Sequence, residues 1–162
     1  MATSVTDGDK IYFVLNAKAD QNYDSTEWQP TLTEDFLAGW MAAQFSSSQL
    51  ADPSISGYSA NPDDDTLPTL LEFVMGTGPL QAEPTPIVVL PTAQFSFPRR
   101  KDLGDVTVTA QFSSDLTTWV DQPVPAGVQD AGALEMVTYA APGGMQPSPA
   151  LFFRVYATVN PN

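Results

Sequence analysis

Beyond residue 86 turn-forming residues cut the chain into strand-length apolar runs, and this punctuation restricts the C-terminal half to short, mostly antiparallel strands. The runs are Ile87 to Leu90, Gln94 to Pro98, Val106 to Phe112, Leu134 to Tyr139 and Leu151 to Val159. In the third, Val106, Val108, Ala110 and Phe112 alternate with Thr107, Thr109 and Gln111. A period of two turns one set towards a core and the other towards water. Asp102-Leu103-Gly104, Pro123 to Gly127 and Ala141-Pro142-Gly143-Gly144 supply the turns between runs. Five or six such strands predict an antiparallel β-sandwich of immunoglobulin or fibronectin type.

The N-terminal half has a different period. Thr31-x-x-Glu34 forms a capping box ahead of Phe36, Leu37, Trp40, Met41 and Phe45, which predicts a helix of about three turns whose apolar stripe faces the core. Ser46-Ser47-Ser48 ends it, and Gln49 to Ala60 connects it to an acidic segment. Leu67, Leu70, Leu71 and Val74 then give a second helix one apolar face, with Gly76 and Gly78-Pro79 as its stop. Before both helices, Lys10 to Asn16 reads as one isolated strand, and Ala17 to Pro30 as a loop carrying Tyr23 and Trp28. The expected architecture is α+β in three parts: an N-terminal strand and arm over 1–30, helices and an acidic loop over 31–80, and a sandwich over 81–162 after the Gln81 to Pro86 linker.

Composition removes several classes of chemistry. The 162 residues include no cysteine and no histidine, which excludes disulfides, sulfur-based zinc sites and nucleophilic catalysis built on a histidine. Nineteen acidic residues against six basic ones give a net charge of −13, so phosphate backbones are repelled and nucleic acid is not an expected partner. No apolar run approaches the roughly 20 residues of a membrane span. The acidic, Thr- and Ser-rich composition with 15 prolines suits an extracellular β-rich protein. Met1-Ala2-Thr3-Ser4 has neither the basic start nor the apolar stretch of a secretory signal, so an extracellular assignment implies a mature or recombinant form.

The acidic segment Asn61 to Glu72 has the spacing of a calcium loop. Counting from Asn61, oxygen-bearing side chains stand at positions one, three, five and nine (Asn61, Asp63, Asp65 and Thr69), the Leu67 carbonyl at seven, and Glu72 at twelve. Calcium takes about six to eight oxygens, which a coiled loop offers from alternate positions before a helical glutamate closes the far side. The expected ligands are therefore Asn61, Asp63, Asp65, Leu67, Thr69 and Glu72, and the expected cofactor is Ca2+. The incoming helix is too far upstream for a complete EF-hand, so the unit is half a hand.

The same residues resemble a family. Asn61-Pro62-Asp63-Asp64-Asp65-Thr66-Leu67, followed by Leu70, Leu71, Glu72, Phe73, Gly76 and Pro79, is similar to the half EF-hand of dockerin and thrombospondin type 3 kind that precedes a C-terminal β-domain in secreted planctomycete and verrucomicrobial proteins. Phe95-Ser96-Phe97-Pro98-Arg99-Arg100, Ser113 to Trp119 and Phe152-Phe153-Arg154-Val155 extend the resemblance, which implies an extracellular module without assigned activity. Asn61, Asp64, Thr66 and Thr69 depart from the pattern, and Thr66 stands where the loop's sharp turn favours glycine. The competing reading makes the segment a helix cap, with Thr66 at the cap, Pro68 in the first turn and the aspartates facing the helix dipole.

Two other features carry expectations of their own. Ser113-Ser114-Asp115-Leu116-Thr117-Thr118-Trp119 reads as a hairpin turn organised by Asp115, with Trp28 and Trp119 as candidate carbohydrate-stacking aromatics in the alternative. Arg99-Arg100-Lys101 holds half of the basic residues and reads as a solvated loop, or else as a partner for an acidic surface. No paired carboxylates across a cleft or other catalytic constellation stands out. The sequence-based expectation is a non-catalytic extracellular or cell-surface structural module, calcium-stabilised and self-assembling through its N-terminal strand into a homo-oligomer or surface assembly. A carbohydrate-binding module with a polysaccharide partner is the alternative.

Overall fold

A computed structural model describes residues 35–143, 145 and 150–160, which belong to one compact unit spanning Glu34–Asn162. The expected strand at Lys10 to Asn16, the loop with Tyr23 and Trp28, and Thr31 lie outside the described residues.

The described chain runs through helices α1 (Phe36–Gln44), α2 (Ser47–Leu50), α3 (Pro53–Ser56) and α4 (Thr69–Met75). It continues through strands β1 (Val88–Leu90), β2 (Gln94–Arg100), β3 (Val106–Ser113), β4 (Val120–Gln122), β5 (Gly127–Ala131), β6 (Leu134–Ala140) and β7 (Phe152–Val159). Every pairing is antiparallel. One sheet has the order β1-β2-β6-β5 and the other β4-β3-β7.

The first helix begins at Phe36. Asp35 is its cap, its Oδ1 accepting the Ala38 N–H at 2.9 Å. Aspartate satisfies a first-turn donor at least as well as threonine does. Leu37, Trp40 and Phe45 are buried, with Phe36 and Met41 packed partly against the core. The serines after it start a new turn as well as ending the old one: Ser46 and Gln49 form a reciprocal capping box for α2, and Asp52 caps α3.

The sheets follow the alternation where it exists. β2 and β6 pair along seven residues, setting Phe95 opposite Tyr139 and Phe97 opposite Val137, and all four side chains are fully buried. Phe95 also meets Phe112 of β3 and Phe153 of β7, with ring centroids 5.5 and 4.2 Å apart, which closes the core between the two sheets. β4 and β5 arise where only turn signals stand. All five residues of β5 are exposed, so no apolar alternation marks it, and it is held by its ladder to β6. β2 runs on to Arg100, placing Arg99 and Arg100 in a strand where a solvated loop is expected.

Helix α4 joins the helical part to the sheets through the same core, which includes Trp40, Phe73 and Met75 alongside Phe97 and Val108. Trp40 meets Phe73 edge-on at 5.5 Å. Gly76 ends α4 with φ +78, the left-handed conformation that glycine adopts without strain. An ideal Cβ there would lie 3.1 Å from the Leu134 methyl carbons.

Candidate metal centre

The acidic segment enters α4 through a tight coil whose own polar groups set its shape. Asp65 Oδ1 accepts the Leu67 N–H at 2.6 Å, the Asp65 N–H donates to Asp63 Oδ1 at 3.3 Å, and Asn61 Nδ2 donates to the Asp65 carbonyl at 2.8 Å. Leu67 inserts its side chain into the core, anchoring the coil's exit. Pro68 occupies the cap position of α4 without a side-chain hydrogen bond, so Thr66 is not the helix cap. Proline has no N–H to satisfy there, and its extended ψ of 154° delivers Thr69 as the first helical residue.

The left-handed residue of the coil is Asp64, with φ 60, whereas Thr66 is not among the positive-φ residues. The sharp turn therefore falls at the fourth position, where aspartate is one of the non-glycine residues that tolerate it. This corrects the expected strain at the sixth.

Asp63, Asp65 and Glu72 converge, each offering a carboxylate oxygen within 4.8 Å of the others. Such a set can hold a metal ion. Oxygens about 2.3–2.6 Å from a common calcium ion lie no more than about 5.2 Å apart, so the spacing fits. Glu72 is completely buried, and among the described residues neither Oε1 nor Oε2 has a hydrogen-bond partner, nor does the buried Asp63 Oδ2. Burial first, and then the carboxylates of Asp63, Asp65 and Glu83, push the Glu72 carboxyl up to about 7.

Among the described residues the basic side chains are engaged elsewhere. Arg99 pairs with Glu135, Arg100 donates to the Phe73 carbonyl, Lys101 pairs with Asp130, and Arg154 donates to Gln111. Buried carboxylates beside like charges require a countercharge or a proton.

The other expected ligands are arranged differently. Asn61 is exposed and its amide is committed to the Asp65 carbonyl. Thr69 is buried, its hydroxyl donating to the Ala60 carbonyl at 3.0 Å and its N–H to the same oxygen at 2.8 Å, which ties the loop's start to the helix. Leu67 contributes an N–H to Asp65. Glu83 belongs to this neighbourhood too: its N–H donates to Asp65 Oδ2 at 3.3 Å after the Gly78-Pro79 bend returns the chain to the loop. The half-hand spacing, which ends at Glu72, carried no sign of it.

Trp28 lies outside the described residues. Trp119 is half-buried, donates from its indole to the Leu116 carbonyl at 3.3 Å, and carries the Arg154 guanidinium 4.1 Å from its ring centre. Asp115 accepts the N–H groups of Thr117 and Thr118 at 2.8 and 2.7 Å and bonds the Ser113 hydroxyl, which builds the β3–β4 hairpin turn. These bonds hold its carboxyl well below the usual range. Comparison with protein-family models, with curated proteins and with solved structures found no match for this chain.

Proposed function

We propose that this chain is a calcium-stabilised, non-catalytic structural module of the cell surface or extracellular space. The observation that carries the reading is Glu72: fully buried, with no hydrogen bond to either oxygen among the described residues and one carboxylate oxygen within 4.8 Å of those of Asp63 and Asp65. A divalent cation supplies the countercharge that the described part of the chain does not. Three carboxylates and a loop with Asn61 in its first place suit the weak end of calcium affinities, roughly 10⁻⁴–10⁻³ M, the range of extracellular modules. The acidic composition, with a net charge of −13, favours an extracellular setting, and the lack of cysteine and histidine removes nucleophilic catalysis built on either.

The pairing order also favours the immunoglobulin-type reading. β1-β2-β6-β5 corresponds to a four-stranded A-B-E-D sheet and β4-β3-β7 to a C′-C-F sheet, without the final G strand among the described residues. Self-association through Lys10 to Asn16 completes the proposal. The carbohydrate alternative loses ground because Arg154 stacks on one face of Trp119.

Thermal unfolding in chelator and then in about millimolar calcium tests the metal role. Against a dissociation constant of roughly 10⁻⁴–10⁻³ M, millimolar calcium stabilises by about 0.4–1.4 kcal/mol, about one to a few degrees for a unit of this size. Calcium should raise the midpoint of the natural chain and leave an Asp63→Ala plus Asp65→Ala variant unmoved; equal midpoints for the natural chain with and without calcium would refute it.

A further inference from the structure

The strand edges of the two sheets are not equally protected. β1 has three residues between Pro86 and Pro91, and β4 has three residues, includes Asp121 and is followed by Pro123. β5 has five exposed residues, including Asp130 paired with Lys101. Short length, proline and charge are the usual guards against edge-to-edge pairing. β7 has none of these in strength: it is eight residues long, contains no proline and has Arg154 as its one charge. Among the described residues it is paired on one side only, with β3.

The direction of its free backbone groups follows from the ladder. The Asn160 N–H donates to the Asp105 carbonyl at 2.8 Å, and backbone groups alternate sides along an antiparallel strand. Hence Tyr156 and Thr158 face β3, whereas Phe153, Val155, Ala157 and Val159 turn their N–H and C=O groups to the outer edge. The side chains of those same four pack only partly into the core. Beside the start of β7, a cleft of about 210 Å³ lined by Val89, Leu90, Phe112, Leu151 and Phe153 opens between the sheets, next to the exposed Val88 and Val89. Among the described residues this side of the sandwich offers unpaired backbone groups and apolar surface together, the two things an added strand uses.

We infer that the outer edge of β7 accepts a strand from a second copy of this chain, and that the strand is Lys10 to Asn16. The inference rests on the self-association in the preceding reading and specifies its acceptor. The donor sequence Ile11-Tyr12-Phe13-Val14-Leu15 is uncharged, aromatic- and β-branched-rich, and free of proline and glycine. It is separated from Asp35, where the described unit begins, by residues 17–34, which span up to about 60 Å when extended. Phe36, beside Asp35, lies against Gly104 in the turn before β3, close to the edge in question. Donor and acceptor are different surfaces of one chain, so each copy that receives a strand can also give one. Such head-to-tail contacts propagate into rings or fibres.

The test follows the full-length chain and its Phe13→Asp variant from dilute to concentrated solution, in calcium, by light scattering and residue-resolved amide hydrogen exchange. Mass should rise with concentration for the natural chain, and the amides of Phe153, Val155, Ala157 and Val159 should slow about tenfold or more as they pair. Phe13→Asp should stay monomeric with fast edge amides. A natural chain that stays monomeric, edge amides equally protected at every concentration, or association unchanged by Phe13→Asp would each overturn the inference. The calcium shift in melting temperature, read on the same samples, separates the two readings. A retained shift without association refutes strand addition alone, and association without a shift refutes the metal role alone.

Discussion

Arg100, the last residue of β2, donates from Nε to the Phe73 carbonyl of α4 at 2.6 Å, and its guanidinium lies 5.3 Å from the centre of the Phe73 ring. The contact satisfies one of the carbonyls left open at the C-terminal end of the helix and places a positive charge at the negative end of its dipole. Glu72, the residue before Phe73, is thereby held in position beside the acidic loop by β2. Burial lowers the Arg100 pKa, but a guanidinium stays charged at neutral pH.

Replacing Arg100 by Ala should therefore destabilise the protein by roughly 1.5–3 kcal/mol, the usual worth of a hydrogen bond to a charged group. Because α4 loses its support, calcium affinity should fall as well. Lys101→Ala, which removes an exposed pair with Asp130, should cost less than about 1 kcal/mol and leave affinity unchanged. Chemical denaturation and calcium titration of both variants separate the effects.

Glu72→Gln should act in opposite directions with and without calcium. In chelator it removes a buried charge facing Asp63 and Asp65 and supplies an amide that can donate to them, so stability should rise by about 1 kcal/mol. With calcium present the stabilising shift should disappear. Melting curves in the two buffers check the crossing.

Proton and calcium should compete. In chelator the Glu72 carboxyl titrates at about 7 in the folded protein, against 4.5 for an ordinary glutamate. Between those values the folded state keeps a proton that the unfolded chain releases, so stability falls as pH rises through that window and levels off above it. Calcium needs the ionised carboxylate, so its stabilising shift should grow as pH rises towards and past 7. A melting series across pH, with and without calcium, measures both slopes.

The turn in the loop makes a paired prediction. Asp64→Gly relieves a left-handed residue and removes one neighbouring negative charge, and should stabilise by about 1 kcal/mol. Thr66→Gly relieves no such strain and frees the unfolded chain, so it should destabilise by roughly 0.5–1 kcal/mol.

What could be read from the sequence depended on whether a residue's role was periodic or tertiary. The alternation of Val106 to Phe112 and the i, i+3, i+4, i+7 spacing of Leu67 to Val74 reflect burial on one face, and both elements occupy the expected positions. β5 buries nothing, so its residues left no pattern, and β4 is too short to show one. The spacing of Asp63, Asp65 and Glu72 marked the three carboxylates that converge. It could not mark Thr69, whose hydroxyl is drawn to the Ala60 carbonyl, nor Glu83, which arrives from beyond a chain reversal. The left-handed turn at Asp64 was hidden because aspartate permits that conformation without announcing it, as glycine does.

Calorimetric titration of calcium into the full-length chain at about pH 8, where the Glu72 carboxyl is ionised, beside the same titration of Glu72→Gln, tests the metal centre most directly. The account predicts one site in the natural chain, with a dissociation constant of roughly 10⁻⁴–10⁻³ M, and none in the variant. Absence of binding in the natural chain, or equal binding by the variant, would contradict it.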